Sequence, residues 1–276
     1  MVGPEDITRS MRELAEKPDH EIRLAPAALK IAAFEYPHLD EDAYIQRLED
    51  LGARARISTS DHSDPSRIVG RINRILFEEE GFRGNSGNYY DPQNSCLNRV
   101  LDRKLGIPIT LSIVYIEIGR ANGLPLYGVG FPGHFITGML TDTGRMFIDP
   151  FYGGRILTEE SCRLMLKHTG MEFSPRFLDP IWPKQILARL IRNLKGIYWS
   201  LDMPLKALQT IEWILILDPY SAVDFRDQGL INEQLGDGYT ALMSFEKYLK
   251  LAPDAEDHED ILARVSRLKS SRVTIH

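Results

Sequence analysis

Two stretches near the C-terminus, KALQTIEWILILDP (206–219) and TALMSFEKYLKLAP (240–253), superimpose at an offset of 34 residues. Ala207 falls on Ala241 and Pro219 on Pro253, and Leu208, Glu212, Leu215 and Leu217 recur at Leu242, Glu246, Leu249 and Leu251. Extended upstream, the same offset lays Arg192 on Arg226 and Leu201 on Leu235. A period of that length describes a helical hairpin that cannot bury its apolar side alone and must stack on a neighbour. About two copies are fewer than a free-standing array needs, so this region is expected to be stabilised by docking on what precedes it. The proline-rich SPRFLDPIWPKQI (174–186) reads as the connector.

The first eighty residues carry helical spacing of a different kind. APAALKIAAFEYP (25–37) is apolar at Ala28, Leu29, Ile31, Ala32 and Phe34, and Pro37 should stop it. DEDAYIQRLEDLGARARI (40–57) opens on acids and should bury Tyr44, Ile45, Leu48 and Leu51. A third helix should start at Asp64-Pro65 and align Ile68, Ile72, Ile75 and Leu76. After the turn-rich loop RGNSGNYYDPQNS (83–95), Ser95 or Asn94 should cap a helix through Leu97, Val100, Leu101 and Leu105 that Gly106 closes. IPITLSIVYIEIGRANG (107–123) then places Pro108 at the first helical position and is apolar nearly all round, as a helix in mid-domain must be. At Leu124 the period drops to two. LPLYGVGF, HFITGML and RMFIDPF read as three antiparallel strands, the last two joined by the turn TDTG (141–144). The fold class is therefore α+β followed by an all-α array, divided as residues 1–82 (helical part of the first domain), 83–175 (its core) and 176–276 (repeats).

Composition narrows the functions. The chain has 276 residues, 33 Lys and Arg against 39 Asp and Glu, and a net charge of −6. That balance opposes general nucleic-acid binding, and the basic ARVSRLKSSRVTIH (263–276) reads as a solvated helix face and tail. Cys96 and Cys162 stand far apart, with no CxxC or HExxH spacing, so neither a disulfide framework nor a metal or other cofactor is implied. The N-terminus mixes charge signs and lacks the apolar core of a signal peptide, and 106–116 is too short to span a bilayer. A cytoplasmic protein without membrane association is the expectation.

GVGFPGHFITG (128–138) sets one histidine, His134, among glycines, and FIDPFYGG (147–154) carries Asp149. The order of buried helix, strand, histidine, then aspartate resembles the transglutaminase-like superfamily. More narrowly, YYDPQNSCLNRVLDRKLGIPITLSIVYIEIGRANGLPLYGVGFPGHF, FIDPFYGGR and RDQGLINEQLGD resemble the SirB regulator family, a transglutaminase-like (papain-like) domain followed by tetratricopeptide repeats. The likeness runs from about residue 25 to the end. It implies a cysteine nucleophile at the start of the central helix, a histidine base and an orienting aspartate. His134 and Asp149 match the last two roles. Aligning RANGL (120–124) with the end of that helix puts the nucleophile near 108–110, where Pro108, Ile109 and Thr110 stand. None is a thiol, and an unactivated threonine alcohol is a weak nucleophile.

Cys96 is the one candidate nucleophile left. It sits at a helix start, where the dipole favours a thiolate, and could reach His134 in an offset Cys96-His134-Asp149 site. Alternatively it is a small buried core residue. His134 could equally bond a carbonyl in a crowded turn, and Asp149 could cap the turn that Pro150 opens. Tyr89 and Tyr90 could rim the same cleft. Trp182, Trp199 and Trp213 read as core and docking surface, and Cys162 as inert on an amphipathic helix. Two functions follow: a non-catalytic or weakly catalytic protein that binds a protein or peptide partner through its repeats, with the regulatory role that the SirB resemblance implies, or a cysteine-dependent acyl-transfer or amide-hydrolysing enzyme.

Overall fold

The computed structural model describes residues 2–56, 65–142, 144–167 and 170–273. It divides into two compact units, the first ending at Leu190 and the second beginning at Ile191.

The first unit opens with α1 (Pro4–Glu16), α2 (Leu24–Ala32), α3 (Glu41–Ala55) and α4 (Pro65–Asn73). Asp40 caps α3 by accepting from the Ala43 N–H at 3.1 Å. The buried stripe of α3 is Leu48, Leu51, Gly52 and Ala55, while Tyr44 and Ile45, expected inside, are only half-buried. α2 ends at Ala32, short of Pro37, because the chain leaves the helix through a turn at 33–36. The cap expected at Asp64 lies outside the described residues. α4 passes into a wider π turn over Arg74–Glu79, which still buries Ile75 and Leu76.

A short parallel pair, β1 (Arg83–Gly84) with β2 (Leu105–Gly106), brackets α5 (Leu97–Arg103). α5 is capped at Cys96 rather than at Ser95 or Asn94, and it closes at Lys104, which takes the left-handed conformation. α6 (Pro108–Ala121) is buried on nearly every side, as its composition predicted. Its close approach to α3 depends on Gly52, where a Cβ would lie 2.9 Å from that of Ala121. Glu117 of α6 fixes the start of α2 by accepting from the Ala25 N–H and pairing with Arg23.

The chain then forms β3 (Leu126–Val129), β4 (Ile136–Thr141), β5 (Gly144–Asp149), β6 (Arg155–Leu157), α7 (Glu159–Lys167) and β7 (Pro180–Ile181). The sheet order is β6-β5-β4-β3-β7, antiparallel throughout. One sheet face carries Val129, Ile136, Phe147 and Leu157, packed with Cys162, Leu166 and Leu178. The alternate residues Thr137 and Ile148, paired in register and buried, turn toward α6.

α8 (Pro183–Ser200) begins in the first unit and runs into the second. The second unit continues with α9 (Pro204–Leu217), α10 (Ala222–Gln234), α11 (Gly238–Leu251) and α12 (His258–Val273). α9 and α11 begin 34 residues apart, the repeat read from the sequence. Trp213 is fully buried in α9, Trp199 is half-buried, and Trp182, before α8, is 63% exposed and so not a core residue.

Candidate functional site: an imidazole–carboxylate pair

Asp149 is the last residue of β5 and also caps the short turn Pro150–Tyr152. Its Oδ1 accepts from the Phe151 and Tyr152 N–H groups at 3.0 and 3.3 Å, and its Oδ2 meets His134 Nε2 at 2.8 Å. The two roles that the sequence posed as alternatives are both filled, one by each carboxylate oxygen. With Asp149 buried to 1% exposure, this sharing satisfies a group that is otherwise costly to enclose.

His134 lies two residues ahead of β4, in a turn rather than on the strand. The turn is Phe131-Pro132-Gly133-His134, closed by the His134 N–H on the Phe131 carbonyl at 3.0 Å. Gly133 has φ +67°, the left-handed value that glycine reaches without strain. Arg189 of α8 clamps both ends of this turn, donating to the carbonyls of Phe131 (3.1 Å) and His134 (2.7 Å). Sequence reasoning did not find Arg189, which stands more than fifty residues from its acceptors.

A carboxylate only accepts, so Nε2 carries a proton toward Asp149, and whenever the ring holds that proton alone Nδ1 is an acceptor. Nδ1 has no hydrogen-bond partner among the described residues, and the side chain keeps 13% exposure. The ring's other neighbours are Phe151, edge-on at 6.0 Å between centroids, and Tyr152 at 5.9 Å. Phe151 in turn packs over Gly84, where a Cβ would come within 2.5 Å of its ring.

The sulfur atoms lie in other surroundings. Cys96, 1% exposed, occupies the N-cap of α5 beside Tyr36, whose phenol is pushed up by burial and further by the Cys96 thiol. Cys162 is wholly buried in the apolar cluster beneath the sheet; burial, with Asp149 and Glu159 adding, pushes its thiol up to about 11. At the start of α6, Thr110 is buried, and its hydroxyl donates to the Asn94 carbonyl (2.8 Å) and accepts from the Ile107 N–H (3.1 Å). That hydroxyl caps the helix. Among the described residues, no group of three or more His, Cys, Asp or Glu could hold a metal ion, and no helix is long and apolar enough to cross a membrane.

Comparison with known proteins agrees with this architecture. Residues 42–192 match the model of the transglutaminase-like superfamily and residues 194–266 that of the tetratricopeptide repeat. A UPF0162 protein of Xylella fastidiosa strain Temecula1 is 36% identical over 269 residues, covering 95% of this chain and 96% of that one. F-box only protein 21 of Mus musculus is 31% identical over 137 residues, 47% of this chain and 21% of its own length. Among solved structures, menin, in a crystal structure described as revealing the binding site for Mixed Lineage Leukemia protein, aligns with a TM-score of 0.47 at 11% identity, over 96% of this chain and 74% of its own. With a transglutaminase-like domain, a tetratricopeptide region and a full-length relative at this level of identity, the chain belongs to the UPF0162 family.

Proposed function

We propose that this protein is a non-catalytic interaction protein, in which a transglutaminase-like domain without a working nucleophile and a tetratricopeptide region both serve protein recognition. The observation that carries this reading is the His134 ring: among the described residues it meets Asp149, Phe151 and Tyr152, while Cys96 lies beside Tyr36. Direct proton transfer needs hydrogen-bond reach of about 3 Å. Cys162 is a poor nucleophile with its thiol pushed up, and the Thr110 hydroxyl is committed to the helix start. The repeats supply the kind of surface that usually holds a protein or peptide. A regulatory role, as the SirB resemblance implies, is the natural use of such a molecule.

A second reading keeps one supporting observation. The His134–Asp149 contact at 2.8 Å is the imidazole–carboxylate pair that a cysteine-dependent acyl-transfer or amide-hydrolysing enzyme needs, and Cys96 stands at a helix start. The two are separated by assaying amide hydrolysis and amine incorporation on a glutamine-containing peptide with the full chain, Cys96→Ala and His134→Ala. All three should give the same background rate. Turnover that Cys96→Ala abolishes would overturn the non-catalytic reading.

A further inference from the structure

The aromatic side chains beside His134 form a continuous stepped row. Tyr90 meets Tyr89 edge-on at 5.4 Å, Tyr89 meets Phe151 at 6.3 Å, and Phe151 meets Tyr152 at 5.1 Å. Tyr90 and Tyr152 are 76% and 64% exposed. Large exposed rings tend to fold back onto apolar surface unless the backbone prevents it, and here both ends are held. The Asn94 side chain donates to the carbonyls of Asn88 (2.7 Å) and Tyr89 (3.1 Å), and Asp149 holds the Tyr152 N–H. The row is thus presented with little conformational entropy left to lose, the property that makes tyrosine effective in recognition surfaces.

Charge gives the row a direction. Arg83 adjoins Gly84, the residue on which the Phe151 ring rests, and Arg155 is the register partner of Asp149. Both are exposed, and neither forms an ion pair among the described residues, although the chain has six more acidic than basic side chains. The nearby carboxylates are taken: Asp149 by His134 and two backbone N–H groups, Asp91 by Arg103 at 2.8 Å. Two exposed arginines without ion pairs, on the short strands that adjoin the aromatic row at Gly84 and Asp149, complement an anionic and partly apolar ligand on an otherwise acidic molecule. His134 Nδ1 adds an acceptor suited to a backbone N–H. A nucleic acid fits less well, since the net charge of −6 repels a polyanion and the edge-to-face steps offer no parallel slots for bases.

We propose that the row from Tyr90 to Tyr152, flanked by Arg83 and Arg155, is a docking site for an extended acidic peptide segment of a partner protein. The proposal rests on the non-catalytic reading of the domain and names the chemistry of its partner. Random twelve-residue peptides displayed on phage are selected on the full chain, with counter-selection on the full-chain variant Arg83→Gln/Arg155→Gln/Tyr90→Ala. These side chains are at the surface, and circular dichroism checks that the variant folds. Peptides that bind the wild type and not the variant should carry Asp or Glu beside an aromatic or aliphatic residue. A synthetic copy should bind about tenfold more weakly when its Glu residues become Gln, and more weakly as salt rises.

No discriminating peptide, or a discriminating set that is basic or uncharged, overturns the proposal. So does displacement of the peptides by a twelve-nucleotide single strand that binds more tightly, or a wild-type dimer in light scattering that the variant loses. Acidic discriminating peptides found together with Cys96-dependent amide turnover would refute the non-catalytic reading and leave the docking site standing. Their absence without turnover would refute the site alone.

Discussion

Each unit of this protein buries an aspartate, Asp149 in the first and Asp224 in the second, and the two are satisfied differently. In the second unit, Asp224 of α10 is fully buried and accepts from Lys195 (2.6 Å), Arg192 (2.7 Å) and Ser221 (2.6 Å). Lys195 also bonds Asp227 at 2.6 Å, and Arg192 bonds Asp218 at 2.8 Å. Charge is answered by charge within the network. In the first unit, Asp149 is just as buried, but its partner His134 keeps one ring nitrogen unspent. A closed network can do nothing further except hold helices in register, whereas a pair with an open valence can meet something else. The contrast separates architecture from a site without appeal to catalysis.

The contrast is broken most severely at Asp224. Removing one member of a buried ionic network leaves its partners desolvated and underpaired. Asp224→Ala should destabilise the repeat helices by about 3 kcal/mol, read as lost hydrogen-exchange protection in α10. Burial alone would raise the Asp224 carboxyl, but Lys195, Ser221 and Arg192 outweigh it and hold the group below its ordinary value. Asp257 is lowered too, first by the Tyr248 hydroxyl and then, against burial, by Arg226. Depressed carboxyl pKa values give stability that is present above the unfolded value, about 3.9, and lost as the pH falls through the folded one. The second unit should therefore melt out in acid below about pH 4, and Asp224→Ala should flatten that dependence.

The thiols sharpen the comparison from the other side. With its thiol at about 11 rather than the ordinary value of about 8.5, Cys162 has roughly two hundredfold less thiolate at pH 8 than an exposed cysteine. Iodoacetamide should label it at least that much more slowly than free glutathione while the protein is folded, and equally fast in denaturant. Rapid labelling of Cys162 in the native protein would mean that the apolar cluster beneath the sheet opens.

At the His134–Asp149 pair the expected effects are smaller and unequal. Asp149→Ala strands the Phe151 and Tyr152 N–H groups as well as the imidazole, and should cost about 2 kcal/mol. His134→Ala leaves Asp149 with both backbone donors and should cost about 1 kcal/mol. Denaturant melts of the two variants test the order. Equal losses would mean that the pair is held as a closed structural unit like the Asp224 network.

Much of this arrangement is legible before folding. The strands show a two-residue period, α6 is apolar all round because it is enclosed, and the repeats announce themselves through Ala207 and Ala241. His134 and Asp149 stand out as polar residues in two apolar stretches, although the strand expected at His134 begins only at Ile136. What stays hidden is made by tertiary contact. Arg189 reads as one more cation on an amphipathic helix until the turn at Phe131–His134 is brought against it. β7 is two residues long and begins with proline, too short to leave a periodic trace. The place of Cys96 is likewise invisible: a helix start says that a thiol can be activated, not what it faces. Tyr44 and Ile45 match the helical spacing yet stay half-buried, because the buried stripe of α3 is set by Gly52 against Ala121 and so begins one turn later.

The finest difference between the units lies in two glycines that do the same work. A Cβ on Gly229 of α10 would lie 2.4 Å from the Phe245 ring, and one on Gly84 would lie 2.5 Å from the Phe151 ring. Either alanine must displace an aromatic side chain, a crowding that costs about 1–3 kcal/mol. At Gly229 the loss is partly offset, because alanine in a helix interior regains about 1 kcal/mol of propensity. At Gly84, in a two-residue strand, there is no such return. Gly229→Ala should therefore cost about 1 kcal/mol or less, and Gly84→Ala somewhat more. Gly84→Ala should also shift Phe151 and with it the exposed row, so selected peptides should weaken there and be untouched by Gly229→Ala. Peptide binding that survives Gly84→Ala would detach the row from the ring that supports it.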